Sequence, residues 1–225
     1  LDGKDAIIEL IEPEEDFPFE TILISGVKGE DDLMRGEETQ MVGITELVET
    51  IKHSSETICI FPGTHSKHIN IHNGSIIGFN TYMTGELFQL LSTQSVLKEA
   101  VSISNNGLEE HKEYFYKGID DANENTNLLN ELFGVRTNVL MKKLSKEKNY
   151  FYLSGLLIGY EMSALKHTKA EEIILCSGNS MFEFYKLAIE RVGIAAPITL
   201  ISPDLMEKSA IAGQLKIYQS HYQLK

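Results

Sequence analysis

Cysteine is scarce in this chain, which has only two such residues among 225. Cys59 and Cys176 each lie in an apolar run typical of a strand, TICIF and IILCS. This pattern predicts two reduced, buried thiols and excludes a disulfide framework. No CxxC, HExxH or clustered Cys/His pattern is present either, so the sequence does not predict a zinc site.

Basic residues are also few, with 20 Lys and Arg against 33 Asp and Glu and a net charge of −13. The basic residues do not cluster, so neither a nucleic acid nor an anionic membrane is an expected partner. No apolar run reaches ~18 residues, so we expect no membrane span. The N-terminal LDGKDAIIELIEPEED resembles neither a signal nor a transit peptide, which favours the cytoplasm.

The hydrophobic patterning predicts an α/β protein. Residues 1–20 are acidic, contain two prolines and are predicted as a loop or linker. A buried strand is expected at 21–27 and an amphipathic helix at 39–53. Asn73-Gly74 is a strong hairpin signal. Strands are expected at 57–61, 67–72 and 75–80. A helix with Thr84 as its N-cap is expected at 83–91.

The middle of the chain, about 93 to 165, has helical periodicity. Gly155 and Gly159 are four residues apart, so they share one helix face and allow close packing of another helix. Strands at 172–177 and 197–202 then alternate with two helices. The resulting βββα…αβαβα order predicts a mixed sheet and is that of ribonuclease H-like proteins.

The turn Pro62–Lys67 is the first candidate site. Gly63 permits close approach of a ligand to the backbone, Thr64 and Ser66 offer hydroxyls, and Lys67 offers a positive charge. With His65, these residues could cradle a phosphate. The alternative is an ordinary polar surface turn, because such turns are common.

Two acidic segments near helix starts are further candidates. Arg35 lies beside Glu37 and Glu38 in MRGEETQ, and Glu86 follows a strand in YMTGEL. A guanidinium can hold an acidic substrate while a carboxylate acts as a general base. The alternative for all three acids is helix capping through the helix dipole.

A third junction, SGNS, follows the strand at 172–177. Gly178 would let a flat ligand approach the backbone, and Asn179 and Ser180 could form hydrogen bonds to it. This signal is weak by itself.

Five segments together resemble the 2-dehydro-3-deoxygalactonokinase family, in order and at similar spacing. They are MRGEETQ, PGTHSK, TYMTGEL, FYLSGLLIGYE and SGNSMFEFYKLAI. The resemblance covers the chain from about residue 21 to its end, and MRGEETQ, PGTHSK and MTGE are the specific parts. The family belongs to the superfamily of sugar kinases, heat-shock ATPases and actin.

The resemblance implies an ATP- and Mg²⁺-dependent kinase that phosphorylates the 6-hydroxyl of 2-dehydro-3-deoxy-D-galactonate. By position, Gly63–Lys67 is similar to a phosphate loop, and Gly178, Asn179 and Ser180 are similar to an adenosine loop. Arg35 and Glu38 would bind the substrate. Because the turn contains no acid, Glu37 is the first candidate for the base and Glu86 the second. No metal ligand is assigned, and the oligomeric state is left open, with a homodimer among the alternatives.

The superfamily fold is two ribonuclease H-like, actin-like ATPase lobes around a nucleotide cleft. The family's first-lobe block, Asp-x-Gly-(Thr/Ser)-(Thr/Ser)-Asn, does not occur here. We therefore expect residues 1–55 to be a remnant of the first lobe and a linker, and residues 56–225 to be the second lobe with a helical insertion at about 93–165. The alternatives are a kinase of another sugar acid and, without a first lobe, a non-catalytic nucleotide-binding or regulatory module.

Overall fold

The structure is a computed structural model with mixed α/β architecture. It describes residues 1–48, 56–103, 107–124 and 127–222, with the backbone alone at residues 179 and 180. Two small sheets near the N-terminus precede a larger five-stranded sheet. Helices cover both faces of the larger sheet.

The N-terminal segment forms two antiparallel strand pairs. They are β1 (Ile8–Ile11) with β2 (Thr21–Ile24) and β3 (Val27–Lys28) with β4 (Leu33–Met34). The prediction of a loop over residues 1–20 was wrong at β1. The runs IELI and TILI form a strand pair there, because their backbone N–H and C=O groups hydrogen-bond to each other. The strand predicted at 21–27 is present as β2 but is not buried, since Leu23 is 38% exposed.

The larger sheet confirms the predicted strand order. Its strands are β5 (Glu56–Phe61), β6 (Ser66–His72), β7 (Ser75–Tyr82), β8 (Glu172–Cys176) and β9 (Ile198–Ile201). β5, β6 and β7 are antiparallel neighbours, whereas β8 is parallel to β5 and β9 is parallel to β8. Asn73 and Gly74 both have positive φ, as a two-residue hairpin turn requires.

Seven helices lie in the part of the chain that the structure describes. They are α1 (Glu37–Leu47), α2 (Thr84–Thr93), α3 (Leu108–Glu124), α4 (Leu128–Leu140), α5 (Lys146–Ser163), α6 (Asn179–Val192) and α7 (Pro203–His221). Helix α1 begins two residues before the predicted start, and residues 49–53 of that prediction lie outside the described residues. Thr84 was predicted as the N-cap of α2, but Met83 is the N-cap and Thr84 is the first helical residue.

The central strands are buried on both faces. Ile58 and Ile60 of β5 pack with α3, α5 and α6, whereas Cys59 and Phe61 pack on the opposite face with α1 and α7. This explains why β5 is a continuous apolar run and not an alternating one. Cys59 and Cys176 are free, buried thiols, as predicted.

Close contact between α3 and α5 confirms the packing role predicted for two glycines. A Cβ on Gly155 would lie 2.0 Å from the carbonyl oxygen of Phe115, and one on Gly159 would lie 2.9 Å from the Cα of Ile119. The two helix backbones approach so closely that there is no room for a side chain at these positions.

Candidate active site

The ends of three strands meet at one edge of the larger sheet. Because β5, β8 and β9 are parallel, the chain leaves all three strands on the same side, where ligands bind in many α/β proteins. A cleft of about 1750 Å³ opens there. It is lined by the turn after β5, Gly178 after β8, Asp204 at the start of α7, and the start of α1.

The turn after β5 is held from one side by α2. The backbone N–H of Glu86 donates to the carbonyl oxygen of Thr64 at 3.0 Å. A Cβ on Gly85 would lie 2.5 Å from the carbonyl oxygen of Gly63, so only glycine permits this approach. The Glu86 carboxylate also pairs with the His65 ring, with Oε2 and Nε2 2.5 Å apart. The turn thus has a defined conformation, while the Thr64 side chain remains exposed.

A buried cation lies beneath the turn. Lys67 is only 5% exposed. Its Nζ donates to the carbonyl oxygen of His65 at 3.0 Å and lies 3.4 Å from Oε1 of Glu37. Oε2 of Glu37 is buried without a hydrogen-bond partner among the described residues. One oxygen of this carboxylate is therefore paired with Lys67 and the other is unpaired in the part of the chain that the structure describes.

The two acids at the start of α1, Glu37 and Glu38, have different surroundings. Gly36 has φ of +115°, which turns the chain sharply into the helix. Both carboxylate oxygens of Glu38 accept the N–H of Gly36, at 2.9 and 2.8 Å, and the side chain is buried. Glu38 thus stabilises the helix start, as in the capping alternative. Arg35 is exposed and lines the cleft together with Glu37.

A second, smaller cavity adjoins the turn. Its volume is about 400 Å³, and its walls come from α2, α5 and α6. The larger apolar side chains that line it are Phe88, Tyr150, Leu157, Ile158, Met181 and Phe184. Gly63 and Thr64 line both this cavity and the large cleft. The turn therefore forms a wall shared by the large cleft and the apolar cavity.

Most of the candidates named from the sequence are brought together. Arg35, Glu37, Glu38, Gly63, Thr64, His65, Lys67 and Gly178 all line the large cleft. Glu86 lines neither cavity and lies beside the turn through its pair with His65. The side chains of Asn179 and Ser180 lie outside the described residues, although both residues begin α6.

Ser66 lies apart from the cleft and belongs to a buried polar cluster. Its hydroxyl donates to Oε1 of Glu161 at 2.5 Å. His68 and Tyr185 also bond this carboxylate, and all four residues are buried. Sequence reasoning did not identify Glu161 as a site residue. Its signal was present, because Glu161 is the only charged residue in the run YFYLSGLLIGYEM at 150–162.

The described residues bring no group of three or more His, Cys, Asp or Glu together as a metal centre. They do place four acidic residues, Glu37, Glu38, Asp204 and Glu207, on the large cleft. Mg²⁺ commonly binds through one or two carboxylates plus ligand phosphates and waters. The donor set therefore fits Mg²⁺ that arrives with a phosphorylated ligand.

The fold is similar to that of a solved kinase-family structure. A Sinorhizobium meliloti protein assigned as a 2-dehydro-3-deoxygalactonokinase superimposes with a TM-score of 0.81 and 25% identity. The match covers 97% of this chain and 69% of that protein. Among the helices described, none is long and apolar enough to cross a membrane.

Sequence comparison gives the same family. Residues 19–214 match the family model of 2-keto-3-deoxy-galactonokinase, so the chain belongs to this family. Over 80% of this chain, it is 30% identical to the 2-dehydro-3-deoxygalactonokinase of Escherichia coli. Over 72% of this chain, it is 32% identical to a Rhizobium meliloti relative assigned the same activity. The chain spans 58% and 53% of the lengths of these two relatives.

Proposed function

We propose that the protein is an ATP-dependent kinase that phosphorylates the 6-hydroxyl of 2-dehydro-3-deoxy-D-galactonate. Family membership supports the substrate class and the reaction. The observation that carries the proposal is the Gly63–Thr64 turn, which lines both the large cleft and the apolar cavity. A phosphoryl group seated on this turn can be reached by a ligand in either space.

The nucleotide would occupy the apolar side of the turn. The cavity volume of about 400 Å³ lies within the range of small-molecule sites, and aromatic walls such as Phe88 and Phe184 suit a flat base. The phosphates would lie on the backbone of Gly63, Thr64 and His65. Gly178, Asn179 and Ser180 would contact the adenosine, because α6 begins there and its later residues line the cavity.

The sugar acid would occupy the large cleft. The exposed Arg35 guanidinium is suited to a carboxylate, because its planar fork matches two oxygens. Oε2 of Glu37 has no partner among the described residues and would accept the proton of the attacking hydroxyl. Lys67 would fix the other oxygen of this carboxylate. Phosphoryl transfer depends mainly on such positioning and on charge neutralisation.

Mg²⁺ would neutralise phosphate charge, and Asp204 is the residue suited to hold it, because Glu37 is assigned as the base. We further propose that the five-stranded sheet and its helices are a ribonuclease H-like, actin-like ATPase lobe. In this view residues 1–55 belong with a first lobe, and residues 93–165 are a helical insertion in the second. The β5–β6 turn and the chain after β8 then correspond to its phosphate and adenosine loops.

The direct test is ADP release by the full-length protein against a panel of 2-keto-3-deoxy sugar acids. We expect turnover with 2-dehydro-3-deoxy-D-galactonate to exceed turnover with the other acids. Preference for another acid in the panel would support kinase activity but assign it a different substrate. ATP binding without turnover on any acid would instead favour a non-catalytic nucleotide-binding module.

Replacing Thr64 with valine should lower turnover by about tenfold to a thousandfold, the range for loss of one donor to a developing charge. Valine keeps the shape of the turn and removes only the exposed hydroxyl. Thr57→Val is the matched control, because the Thr57 hydroxyl is buried on β5, the strand before the turn, without a partner among the described residues. Equal kinetics for the two variants and the wild type would remove Thr64 from the phosphate site.

Replacing Arg35 with lysine should mainly raise the KM for the sugar acid, because lysine cannot bind a carboxylate through two parallel hydrogen bonds. The KM for ATP should not change. Arg191→Lys is a control, since that guanidinium bonds Asp120 instead of lining the cleft. A rise in the KM for ATP alone would indicate that Arg35 contacts the nucleotide and not the sugar acid.

A further inference from the structure

The buried carboxylate of Glu161 receives three donors from two elements. Oε1 accepts from the Ser66 hydroxyl at 2.5 Å and from Nε2 of His68 at 3.0 Å, both on β6. Oε2 accepts from the Tyr185 hydroxyl on α6 at 2.7 Å. Glu161 is 3% exposed, and such donors offset the cost of burying a carboxyl group away from water.

The surroundings of this cluster keep its donors in place. Burial, and then the charge of Glu161, raise the pKa of Tyr185, so the phenol remains a proton donor at neutral pH. The His68 ring packs on Tyr82, with ring centroids 4.5 Å apart. Nδ1 of His68 is buried without a hydrogen-bond partner among the described residues, so the bond to Glu161 through Nε2 is the side-chain hydrogen bond that holds the ring.

Ser66 connects this cluster to the turn. It is the first residue of β6 and directly follows the turn residues Thr64 and His65. Its bond to Glu161 therefore ties the outgoing end of the turn to α5, 95 positions away in sequence. On its other side the turn is held by α2, through the N–H of Glu86 and the contact of Gly85.

The two helices that hold the turn also form the apolar cavity. Phe88 of α2 and Tyr150 of α5 both line it. The two attachments therefore set the distance and angle between the turn and the cavity. A ligand that spans them, as a nucleotide would, binds best when this geometry exists before binding.

We propose that Glu161 is a positioning residue that holds the phosphate turn through the Ser66 hydroxyl. The role rests on the proposed function, because it requires that a nucleotide spans the turn and the cavity. Ser66 itself then acts from beneath the turn, and its hydroxyl does not contact phosphate.

Ser66→Ala and Tyr185→Phe separate positioning from stability. Each removes one hydroxyl donor from Glu161, and both residues are fully buried, so both variants should unfold at a lower urea concentration. Ser66 directly follows the turn in the chain, whereas Tyr185 lies on α6. Ser66→Ala should lower kcat/KM for ATP by about tenfold, as expected for one hydrogen bond to a charged group. Tyr185→Phe should change it by less than about twofold.

The KM for the sugar acid should change less than kcat/KM for ATP in Ser66→Ala, because Arg35, the proposed partner of the substrate carboxylate, lies outside the turn. Glu161→Gln provides a rescue test, since its side-chain oxygen can still accept from Ser66. It should retain more of the kcat/KM for ATP than Glu161→Ala.

The outcomes distinguish the two proposals. A wild-type protein that binds no ATP would overturn the proposed function and the positioning role with it. A wild-type protein that uses ATP, with equal kcat/KM for ATP in Ser66→Ala and Tyr185→Phe, would overturn the positioning role alone. Glu161 would then serve only to stabilise the fold.

Discussion

Replacing Glu37 with glutamine is expected to lower kcat by about 10²–10⁴-fold, the usual contribution of a positioned general base. The amide keeps the size of the side chain but cannot take a proton. In the structure, Oε1 of Glu37 lies 3.4 Å from Nζ of Lys67, and Oε2 is buried and unpartnered among the described residues. The measurement is kcat under saturating ATP and sugar acid, with KM values recorded for both.

Glu86→Gln is the comparison for this prediction, because Glu86 is the other acid near the turn. Its carboxylate pairs with His65 and lines neither cavity, so its loss should affect kcat less. The base would be reassigned to Glu86 by near-normal kcat in Glu37→Gln together with inactivity in Glu86→Gln. No effect in either variant would mean that both acids only stabilise helix starts.

Replacing Gly155 with alanine is expected to destabilise the fold by about 3 kcal/mol, at the upper end for overpacking. The new Cβ would lie 2.0 Å from the carbonyl oxygen of Phe115 and 2.9 Å from its carbonyl carbon. Both are backbone atoms of α3, so no side-chain rotation can relieve the clash. Urea unfolding followed by circular dichroism measures the effect.

Gly134→Ala is the matched control, since Gly134 lies within α4 and a Cβ there would have no neighbour within 4 Å. Alanine is the better helix former, so this variant should gain about 0.5–1 kcal/mol. An equal loss of stability in the two variants would contradict the packing explanation. Equal stability of Gly155→Ala and the wild type would show that α3 and α5 can separate without cost.

The sheet could be predicted because its signals are local. Asn73-Gly74 defines the β6–β7 hairpin, and the apolar run of β5 indicates a strand covered on both faces. β1 was missed because its partner β2 lies beyond an acidic segment with two prolines, and pairing with that partner is what stabilises it. The strand propensity of a short segment does not include its contacts with residues that are distant in sequence.

The candidate site shows the same limit. The turn residues were identified by their types, since glycine, hydroxyl and cation occur together in PGTHSK. Glu161 and the apolar cavity were not, because both depend on helices that are distant in sequence from the turn. Glu38 was named for the substrate, yet its oxygens bond the backbone of Gly36, which only the geometry of the helix start reveals.

The shared wall formed by Gly63 and Thr64 has a consequence for inhibitor design. The large cleft and the apolar cavity meet at this turn, so one molecule could enter both. If the proposed function holds, a flat aromatic group for the cavity, joined by a short linker to a carboxylate for Arg35, would compete with both proposed substrates at once. Because the two halves would be immobilised in a single binding event, their affinities would combine with only one loss of translational freedom.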